Sequence, residues 1–235
     1  MHFFQKVFSA IFGSFFYTDR NKLKIEFVTP SHNPEILENN LLKSKILRKY
    51  KLAVQTNYTN ISKAYNEADV NGDIIIYVHH DVYLPPSFER KLLNSLTEIE
   101  RIDPNWGVLG LAGAVMSHNE KRVYGYLLNR GRRLGSPKGL PREVDTLDEL
   151  MLITRGDLKF DENIPSTHFY GADICLQARL QGRKCYVINA YCHHNHNYSG
   201  LVNGERTEGF LLAQEYIKKK YAKLLPIPTT CTIIS

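Results

Sequence analysis

The segment from Asp73 to Pro86 constrains the fold of this chain more strongly than any other. Its apolar part, Ile74 to Val78, contains five consecutive β-branched or aromatic residues. An uninterrupted run of this kind predicts a strand that is buried on both faces, as in the centre of a parallel sheet. Three ionisable residues, His79, His80 and Asp81, follow at once. Because ligands of open α/β sheets bind outside the carboxyl ends of the strands, we expect a functional site here rather than a strand end that is polar by chance.

Strands and helices are predicted to alternate on both sides of this segment. The pattern favours strands at Lys22–Thr29, Lys51–Thr56 and Trp106–Val115, and helices that begin at Pro34, near Ile61 and after Pro86. This alternation predicts an α/β fold with a parallel sheet and right-handed crossovers. No Gly-x-Gly-x-x-Gly or P-loop sequence follows any of these strands. A nucleotide would therefore have to be held by other means.

Length and composition are those of a single ordinary domain. The chain has 235 residues, of which 43% are hydrophobic, and this is enough to bury a full core. Its net charge of +6 suits an anionic ligand such as a nucleotide, a phospholipid surface or a nucleic acid, without choosing among them. The four cysteines include no Cys-x-x-Cys pair. We therefore expect free thiols and a cytoplasmic location.

The first 20 residues are predicted to form an amphipathic helix. Apolar residues recur there at helical spacing: Phe3, Phe4, Val7, Phe8, Ile11, Phe12, Phe15 and Phe16. The stretch is too short and too interrupted for a membrane span, and it lacks the basic start of a secretion signal. Docking on the protein's own body or on a second subunit is one interpretation. A peripheral position in a membrane interface is the other.

The segment from Tyr124 to Arg142 differs from the rest of the chain in composition. It contains a basic, glycine-rich run from Arg130 to Gly139 and few apolar residues. A solvated, mobile loop is the simplest prediction. A lid that closes over a polyanion is the alternative, because functional lids often have this composition.

Asp173 lies where a helix is predicted to begin. The apolar spacing of Ala172, Leu176 and Leu180 places the start of this helix near Gly171. A carboxylate in the first turn can simply stabilise the helix through the exposed amides and the dipole. The same field can instead keep the carboxylate ionised, as a base that takes a proton from a hydroxyl. The sequence leaves both interpretations open.

A second group of histidines follows the last predicted strand, Lys184–Ala190. Strand alternation there places His194 and His196 on one face and His193 on the other. His194 and His196 could share a metal ion with a group from another element. A zinc site made by this segment alone is not expected, because ligands crowded on one short extended segment cannot complete a tetrahedron.

Five groups of residues, in order along the chain, resemble the motifs of inverting nucleotide-sugar glycosyltransferases with the GT-A fold. They are Val28–Asn33, Asn60–Asn66, Asp73–Leu84, Val144–Glu149, and Phe160–Glu162 followed by His168–Asp173. The resemblance covers Lys24 to Gly200 and lies in the broad family 2 group, in the branch with His-x-Asp in place of Asp-x-Asp. It implies a single domain with a Rossmann-like, mostly parallel sheet flanked by helices.

The resemblance also implies roles for individual residues. Asp173 would be the catalytic base, and a Mn²⁺ or Mg²⁺ ion would be bound by Asp81 and by one of His193, His194 and His196. The implied nucleotide-sugar contacts are Thr29, Pro30, Ser31, Asn33, Asn66, His79 and His80, with His79 in place of the usual first acid. The residues implied for the transferred sugar or the acceptor are Asp148, Glu149 and His168.

The predicted function is metal-dependent, inverting transfer of a sugar from a nucleotide-diphosphate donor to an acceptor hydroxyl. A saccharide, a lipid-linked sugar, a protein and a hydroxylated nucleobase in DNA are the acceptors considered. The predicted organisation is an N-terminal helix at 1–20, a transferase domain at 21–204, and a C-terminal helix and tail at 205–235. The alternatives are a metal-dependent nucleotidyltransferase and a non-catalytic basic module that binds nucleic acid through residues such as Lys218–Lys220.

Overall fold

A seven-stranded mixed sheet forms the centre of the computed structural model, which describes residues 23–195, 201–202 and 205–235. Helices pack on this sheet with a hydrophobic core on each of its faces, so the predicted α/β single domain is confirmed. The predicted helix at residues 1–20 and the predicted metal ligand His196 lie outside the described residues.

The described part of the chain folds into many short elements. Its strands are β1 (Ile25–Pro30), β2 (Lys51–Gln55), β3 (Ile74–Val78), β4 (Val82–Tyr83), β5 (Val108–Gly110), β6 (Ala112–Ser117), β7 (Glu120–Asn129), β8 (Arg132–Gly135), β9 (Arg142–Val144), β10 (Thr146–Leu147), β11 (Met151–Thr154), β12 (Cys185–Val187), β13 (His193–His194), β14 (Leu201–Val202), β15 (Glu205–Arg206), β16 (Ile227–Pro228) and β17 (Ile233–Ile234). Its helices are α1 (Pro34–Asn39), α2 (Ile61–Asn66), α3 (Phe88–Ile102), α4 (Tyr170–Leu180) and α5 (Glu208–Lys220), with 3₁₀ turns at Leu41–Lys43, Lys45–Arg48 and Ala222–Leu224. Among the described helices, none has the length and apolar character needed to cross a membrane.

The central sheet has the strand order β2-β1-β3-β11-β5-β12-β9. β2, β1 and β3 are parallel, and Val28 of β1 lies between Ala53 of β2 and Tyr77 of β3. β11 and β9 run opposite to the other five strands, so the sheet is mostly parallel, as predicted, with two reversed strands. The cause is the path of the chain, since the segment after β5 leaves the sheet to form hairpins and returns in the opposite direction. The predicted strand Trp106–Val115 is accordingly split into β5 and β6, which belong to different sheets.

β3 is buried on both faces, as its sequence predicts. Ile74, Ile76 and Val78 belong to the core cluster that includes the apolar side of α3. Ile75 and Tyr77 belong to the other core cluster, which includes α4. Each fully buried side chain of this size contributes about 1.5–3 kcal/mol to stability. The packing therefore fixes the strand, and with it the place where the chain emerges at its carboxyl end.

The prediction of a loop or lid at Tyr124–Arg142 is wrong, because much of this segment is a β-hairpin. β7 pairs with β8 from Tyr126 opposite Gly135 to Asn129 opposite Arg132, and it also pairs with β6 and β13. The two turn residues, Arg130 and Gly131, have φ of 49° and 75°, which suits a two-residue hairpin turn. All of β8 is exposed. The sequence therefore lacks the apolar alternation that would have indicated a strand.

A buried ionic network attaches α5 to α4. Asp173 is fully buried, and its carboxylate accepts hydrogen bonds from Lys220 at 2.6 Å, Tyr221 at 2.7 Å and Gln177 at 2.6 Å. Lys220 also pairs with Asp161, at 2.6 Å. One ammonium group thus pairs with two carboxylates, and the carboxylate of Asp173 has no access to water.

Replacing Lys220 tests this network. Lys220→Met leaves the buried Asp173 carboxylate without its counter-ion, and we expect the free energy of unfolding to fall by roughly 3 kcal/mol. Lys219→Met, at an exposed position of the same helix, is the matched control and should change it by less than about 0.5 kcal/mol. Urea denaturation followed by circular dichroism measures both values. Equal losses in the two variants would contradict a specific role for Lys220.

Candidate functional site at the carboxyl ends of the parallel strands

A cavity of about 500 Å³ opens at the carboxyl ends of β1, β2 and β3. The strand ends contribute Pro30, Ser31, Gln55, His79, His80 and Asp81 to its lining. Asp148 and Glu149, just before β11, form another wall, and the turn between β16 and β17 closes it with Thr230 and Cys231. This is the place where open α/β sheets bind their ligands.

His79, Asp81 and His194 form a compact cluster in the lining of this cavity. Their potential ligand atoms all lie within 4.8 Å of one another. His194 Nε2 is 3.4 Å from Asp81 Oδ2, and His79 Nδ1 is 4.0 Å from Asp81 Oδ1. β13 places His194 here because it pairs with β4, the strand that directly follows Asp81. The two histidine motifs, far apart in sequence, thus meet at one point.

The outer nitrogen of each imidazole has its own hydrogen-bond partner. His194 Nδ1 bonds the side-chain oxygen of Asn129 at 3.1 Å, and His79 Nε2 bonds the hydroxyl of Tyr170 at 2.7 Å. These bonds hold both rings with the other nitrogen facing Asp81. Histidines that bind metals are usually held from the outer side in this way. The donor set of two imidazoles and one carboxylate fits a divalent transition metal.

The charges within the cluster shift the pKa values of Asp81 and His194 in the direction opposite to the effect of burial. Burial alone would raise the pKa of Asp81, but the hydrogen bond from His194 and the charges of the histidines lower it to about 2. Burial would lower the pKa of His194, yet the bond to Asp81 raises it. For His79 burial dominates, and its pKa is lowered. At neutral pH Asp81 is ionised and His79 is neutral, as a cation requires of its ligands, whereas the raised pKa of His194 favours a proton that has to leave when an ion binds.

The carboxyl pair Asp148 and Glu149 has a different electrostatic environment. Burial, together with the charge of Asp148, raises the pKa of Glu149 to about 8. Asp148 Oδ2 accepts a hydrogen bond of 2.7 Å from Thr230. A carboxyl group in a cavity with a pKa close to neutrality is a candidate proton acceptor.

Tyr170, the first residue of α4, connects the two groups. Its hydroxyl donates to the backbone carbonyl of Glu149 at 3.3 Å and lies 2.7 Å from His79 Nε2. If His79 Nε2 carries the proton and donates to this hydroxyl, the lone pair of His79 Nδ1 faces Asp81. The helix can approach Glu149 because the next residue is Gly171, where a Cβ would lie 2.8 Å from the carbonyl oxygen of Leu147.

Four of the predicted nucleotide-sugar contacts line the cavity and three do not. Those in the lining are Pro30, Ser31, His79 and His80. Ser31 Oγ lies 2.9 Å from His80 Nδ1, and the ring of His32 lies 4.9 Å from that of His80. Thr29 is fully buried away from the cavity. Asn33 caps α1 by accepting from Ile36 N at 3.1 Å, and Asn66 is bonded to the backbone of Phe160.

Asp173 and His193, two further predicted site residues, do not line the cavity. The carboxylate of Asp173 faces Lys220 and Tyr221 instead. His193 lies on the other face of β13, with its ring 5.4 Å from the ring of Tyr83. The predicted acceptor residues Asp148, Glu149 and His168 do line the cavity.

The sequence did not indicate several residues of the site. Tyr170 and Asn129 support the histidines, and Thr230 and Cys231 reach the cavity from the end of the chain. Asn129, Thr230 and Cys231 belong to no recognisable motif, because their roles depend on contacts between distant parts of the chain. The sequence could have indicated Tyr170, because this residue lies within the motif His168–Asp173.

Comparisons with known proteins bear on the family and the fold of this chain. The family described as "Glycosyltransferase like family" matches residues 48–216. A curated relative, "ATP synthase subunits region ORF 6" of Fuscovulum blasticum, is 28% identical over 160 residues, which cover 66% of this chain and 62% of the relative. This chain therefore spans less than two thirds of the length of that relative.

A solved structure, that of S. aureus TarS 1-349 in complex with UDP-GlcNAc, is similar with a TM-score of 0.55 and 17% identity. The similarity covers 84% of this chain and 66% of TarS 1-349, so this chain again spans slightly less than two thirds of the other protein. At this identity the likeness shows the fold, which is GT-A. Together with the match over most of its length, this means that the chain belongs to the glycosyltransferase-like family.

Proposed function

We propose that this protein is a metal-dependent, inverting glycosyltransferase that uses a nucleotide-diphosphate sugar. One observation supports this most: a single cavity contains both the His79–Asp81–His194 cluster and Glu149, whose pKa is about 8. The cluster suits a cation next to a diphosphate, and Glu149 suits an acceptor hydroxyl. Membership of the family favours sugar transfer over nucleotidyl transfer and over non-catalytic binding.

His79, Asp81 and His194 are the residues that would hold the metal ion. Two imidazole nitrogens favour Mn²⁺ over Mg²⁺, because Mg²⁺ prefers an oxygen-only shell. A bound ion would neutralise the charge that develops on the departing diphosphate. His79 thus takes the place of the first acid in the usual Asp-x-Asp motif, and the His-x-Asp variant retains a full set of protein ligands.

The residues at the ends of β1 and β3 would bind the nucleotide. Ser31 and His80 are bonded to each other, and the rings of His32 and His80 lie together at the cavity wall. The imidazoles can pack against a flat base, and the nearby hydroxyl can bond polar atoms of the nucleotide. Their fixed positions at strand ends keep the donor in one orientation.

Glu149 takes the role that the sequence predicted for Asp173. The buried carboxylate of Asp173 is bonded to Lys220 and Tyr221 and does not line the cavity, whereas Glu149 lines it. In the proposed step the acceptor oxygen bonds to the anomeric carbon while the bond from that carbon to the diphosphate oxygen breaks. The bonding electrons leave with the diphosphate, and Glu149 takes the hydroxyl proton. One direct displacement with one base inverts the configuration of the sugar.

Asp148 and His168 are proposed to position the acceptor or the transferred sugar. Thr230 holds the carboxylate of Asp148, and burial together with Arg206 lowers the pKa of His168. His168 is therefore neutral near pH 7 and can both donate and accept a hydrogen bond to a sugar hydroxyl.

The metal site can be tested by binding alone. We expect Asp81→Asn and His194→Gln to lower the affinity for Mn²⁺ by more than the roughly 10–100-fold that loss of a supporting residue costs. His193→Gln is the matched control, because His193 is adjacent but lies on the other face of β13. Electron paramagnetic resonance of free Mn²⁺ measures the affinities. If the affinity of His194→Gln for Mn²⁺ were unchanged, the cluster would not be the metal site.

The role of Glu149 can be tested by the pH dependence of transfer. A base must be deprotonated, so the rate should rise about tenfold per pH unit below the pKa of Glu149 and level off above it; this pKa is about 8 without a bound cation and lower with Mn²⁺ in the cluster. Glu149→Gln should lose roughly 10²–10⁴-fold in rate and with it this pH dependence. Release of the nucleoside diphosphate from nucleotide-sugar donors, with Mn²⁺ present, measures the rate. The folded Asp173→Asn variant is the control. If it lost as much activity as Glu149→Gln, Asp173 would be assigned as the base instead of Glu149.

The same pKa predicts how stability depends on pH. The pKa of Glu149 is raised from 4.5 to about 8 in the folded protein, so the native state binds its proton more tightly than the unfolded state does. This contribution is complete below about pH 4.5 and is lost as the pH rises through about 8. We expect Glu149→Gln to be relatively more stable than the parent at pH 9 than at pH 5, as measured by urea denaturation. A stability difference that is the same at both pH values would argue against the raised pKa.

A further inference from the structure

The hairpin formed by β7 and β8 carries an unusual concentration of positive charge. Residues 121–142, here called the basic hairpin, contain seven basic residues and no acidic one: Lys121, Arg122, Arg130, Arg132, Arg133, Lys138 and Arg142. The net charge of the entire chain is only +6, so this segment accounts for all of the excess and the remainder of the chain is slightly acidic. Neither the metal cluster nor the carboxyl pair uses these side chains.

Three charges of the basic hairpin, those of Arg132, Arg133 and Lys138, face solvent. In the part of the chain that the structure describes, no carboxylate lies within ion-pair distance of these three residues. The neighbouring acids are already engaged, since Glu143 pairs with Lys184 and Asp145 pairs with Arg179. The surface therefore has an unbalanced positive potential that favours an anionic partner.

Two apolar side chains lie among these charges. Val123 is 51% exposed and Leu134 is 43% exposed. Leu134 lies opposite Leu127 in the hairpin register, so strand alternation places Val123 and Leu134 on the same face of the hairpin. Arg132 shares this face, because it lies opposite Asn129. A face that combines exposed aliphatic residues with arginine is suited to the boundary between lipid headgroups and acyl chains.

The backbone of the basic hairpin is ordered, and the tip of the hairpin lies beside the site. β7 pairs with β6, β8 and β13, so the backbone is ordered before any partner binds. At its tip the amide of Arg130 donates to the carbonyl of His194 at 3.0 Å, and Asn129 bonds the His194 ring. A partner that binds along the hairpin would therefore lie near His194, which lines the cavity.

The aromatic residues near the hairpin argue against single-stranded nucleic acid as the partner. Proteins that bind single strands stack the bases on free aromatic faces. Here Lys91 Nζ lies over the rings of Tyr126 and Tyr191, at 4.8 and 5.4 Å, and these rings also contact each other at 4.8 Å. The guanidinium of Arg142 covers Tyr124 at 5.0 Å. The aromatic faces are engaged, whereas the exposed aliphatic side chains are not.

We propose that the basic hairpin binds the surface of an anionic phospholipid bilayer. Arg132 would lie among the lipid phosphates, with Val123 and Leu134 on the same face against the upper part of the acyl chains. Arg133, on the other face of β8, and Lys138, beyond the end of β8, would reach phosphates through their long side chains. This proposal is independent of the glycosyltransferase assignment, because binding to vesicles requires neither metal nor sugar donor.

Flotation of the full-length protein with lipid vesicles tests the proposal. The vesicles consist of phosphatidylcholine alone or of phosphatidylcholine with phosphatidylglycerol, at low and high sodium chloride. The variant Arg132→Gln/Arg133→Gln/Lys138→Gln should bind the anionic vesicles about a hundredfold more weakly, since each basic residue contributes roughly fivefold near such a surface. The control Lys218→Gln/Lys219→Gln/Lys223→Gln removes the same amount of charge from the last turn of α5 and from the 3₁₀ turn that follows it. It should bind anionic vesicles nearly as well as the parent. Residues 1–20 are identical in all these proteins, so their contribution cancels.

Several outcomes would overturn the proposal. These are no binding to anionic vesicles, equal binding to neutral and anionic vesicles, equal losses in the two triple variants, and no effect of the hairpin variant. A single-stranded oligonucleotide bound in a hairpin-dependent manner by a protein that does not bind vesicles would assign this surface to nucleic acid instead. The substituted residues are exposed except for Lys218, which is half-buried, and circular dichroism verifies that each variant is folded.

Discussion

The complete burial of β3 is the constraint on which the site depends. A strand packed on both faces and paired with a neighbour at each edge has no freedom to shift its register, because a shift by one residue would reverse both faces. The residues that follow it are therefore delivered to a fixed place. His79 and Asp81 have this position, and β13 adds His194 through its pairing with β4. The cluster thus owes its geometry to the core beneath it more than to interactions among its members.

The parts of the fold that repeat simple patterns could be predicted from the sequence. The apolar run Ile74–Val78 is a central buried strand, and β1 and β2 lie parallel beside it. The antiparallel β11 could not be predicted, since a short apolar run contains no information on direction. β8 also could not be predicted, because hydrogen bonds to β7 hold it in place and its side chains face water. Pattern analysis detects burial, and it fails where pairing occurs without burial.

Asp173 illustrates the same limit of prediction from the sequence. A carboxylate in the first turn of a helix has the same appearance in the sequence whether it serves as a base or as an internal counter-ion. The difference lies in Lys220 and Tyr221, which are 47 and 48 residues away and approach only when α5 packs on α4. Conversely, the raised pKa of Glu149 comes from its depth and from Asp148 next to it. Depth is a property of the folded chain and has no counterpart in a local motif.

The shared cavity has a thermodynamic consequence. Because Glu149 and the histidine cluster line the same enclosed space, a positive charge brought to the cluster lowers the proton affinity of Glu149. Linkage is reciprocal, so an ionised Glu149 must raise the affinity of the cluster for a cation by the same factor. Cation binding at the cluster and ionisation of Glu149 are then one coupled equilibrium. The protein would release a proton as it takes up the ion, and the empty site would rest in its protonated, less reactive form.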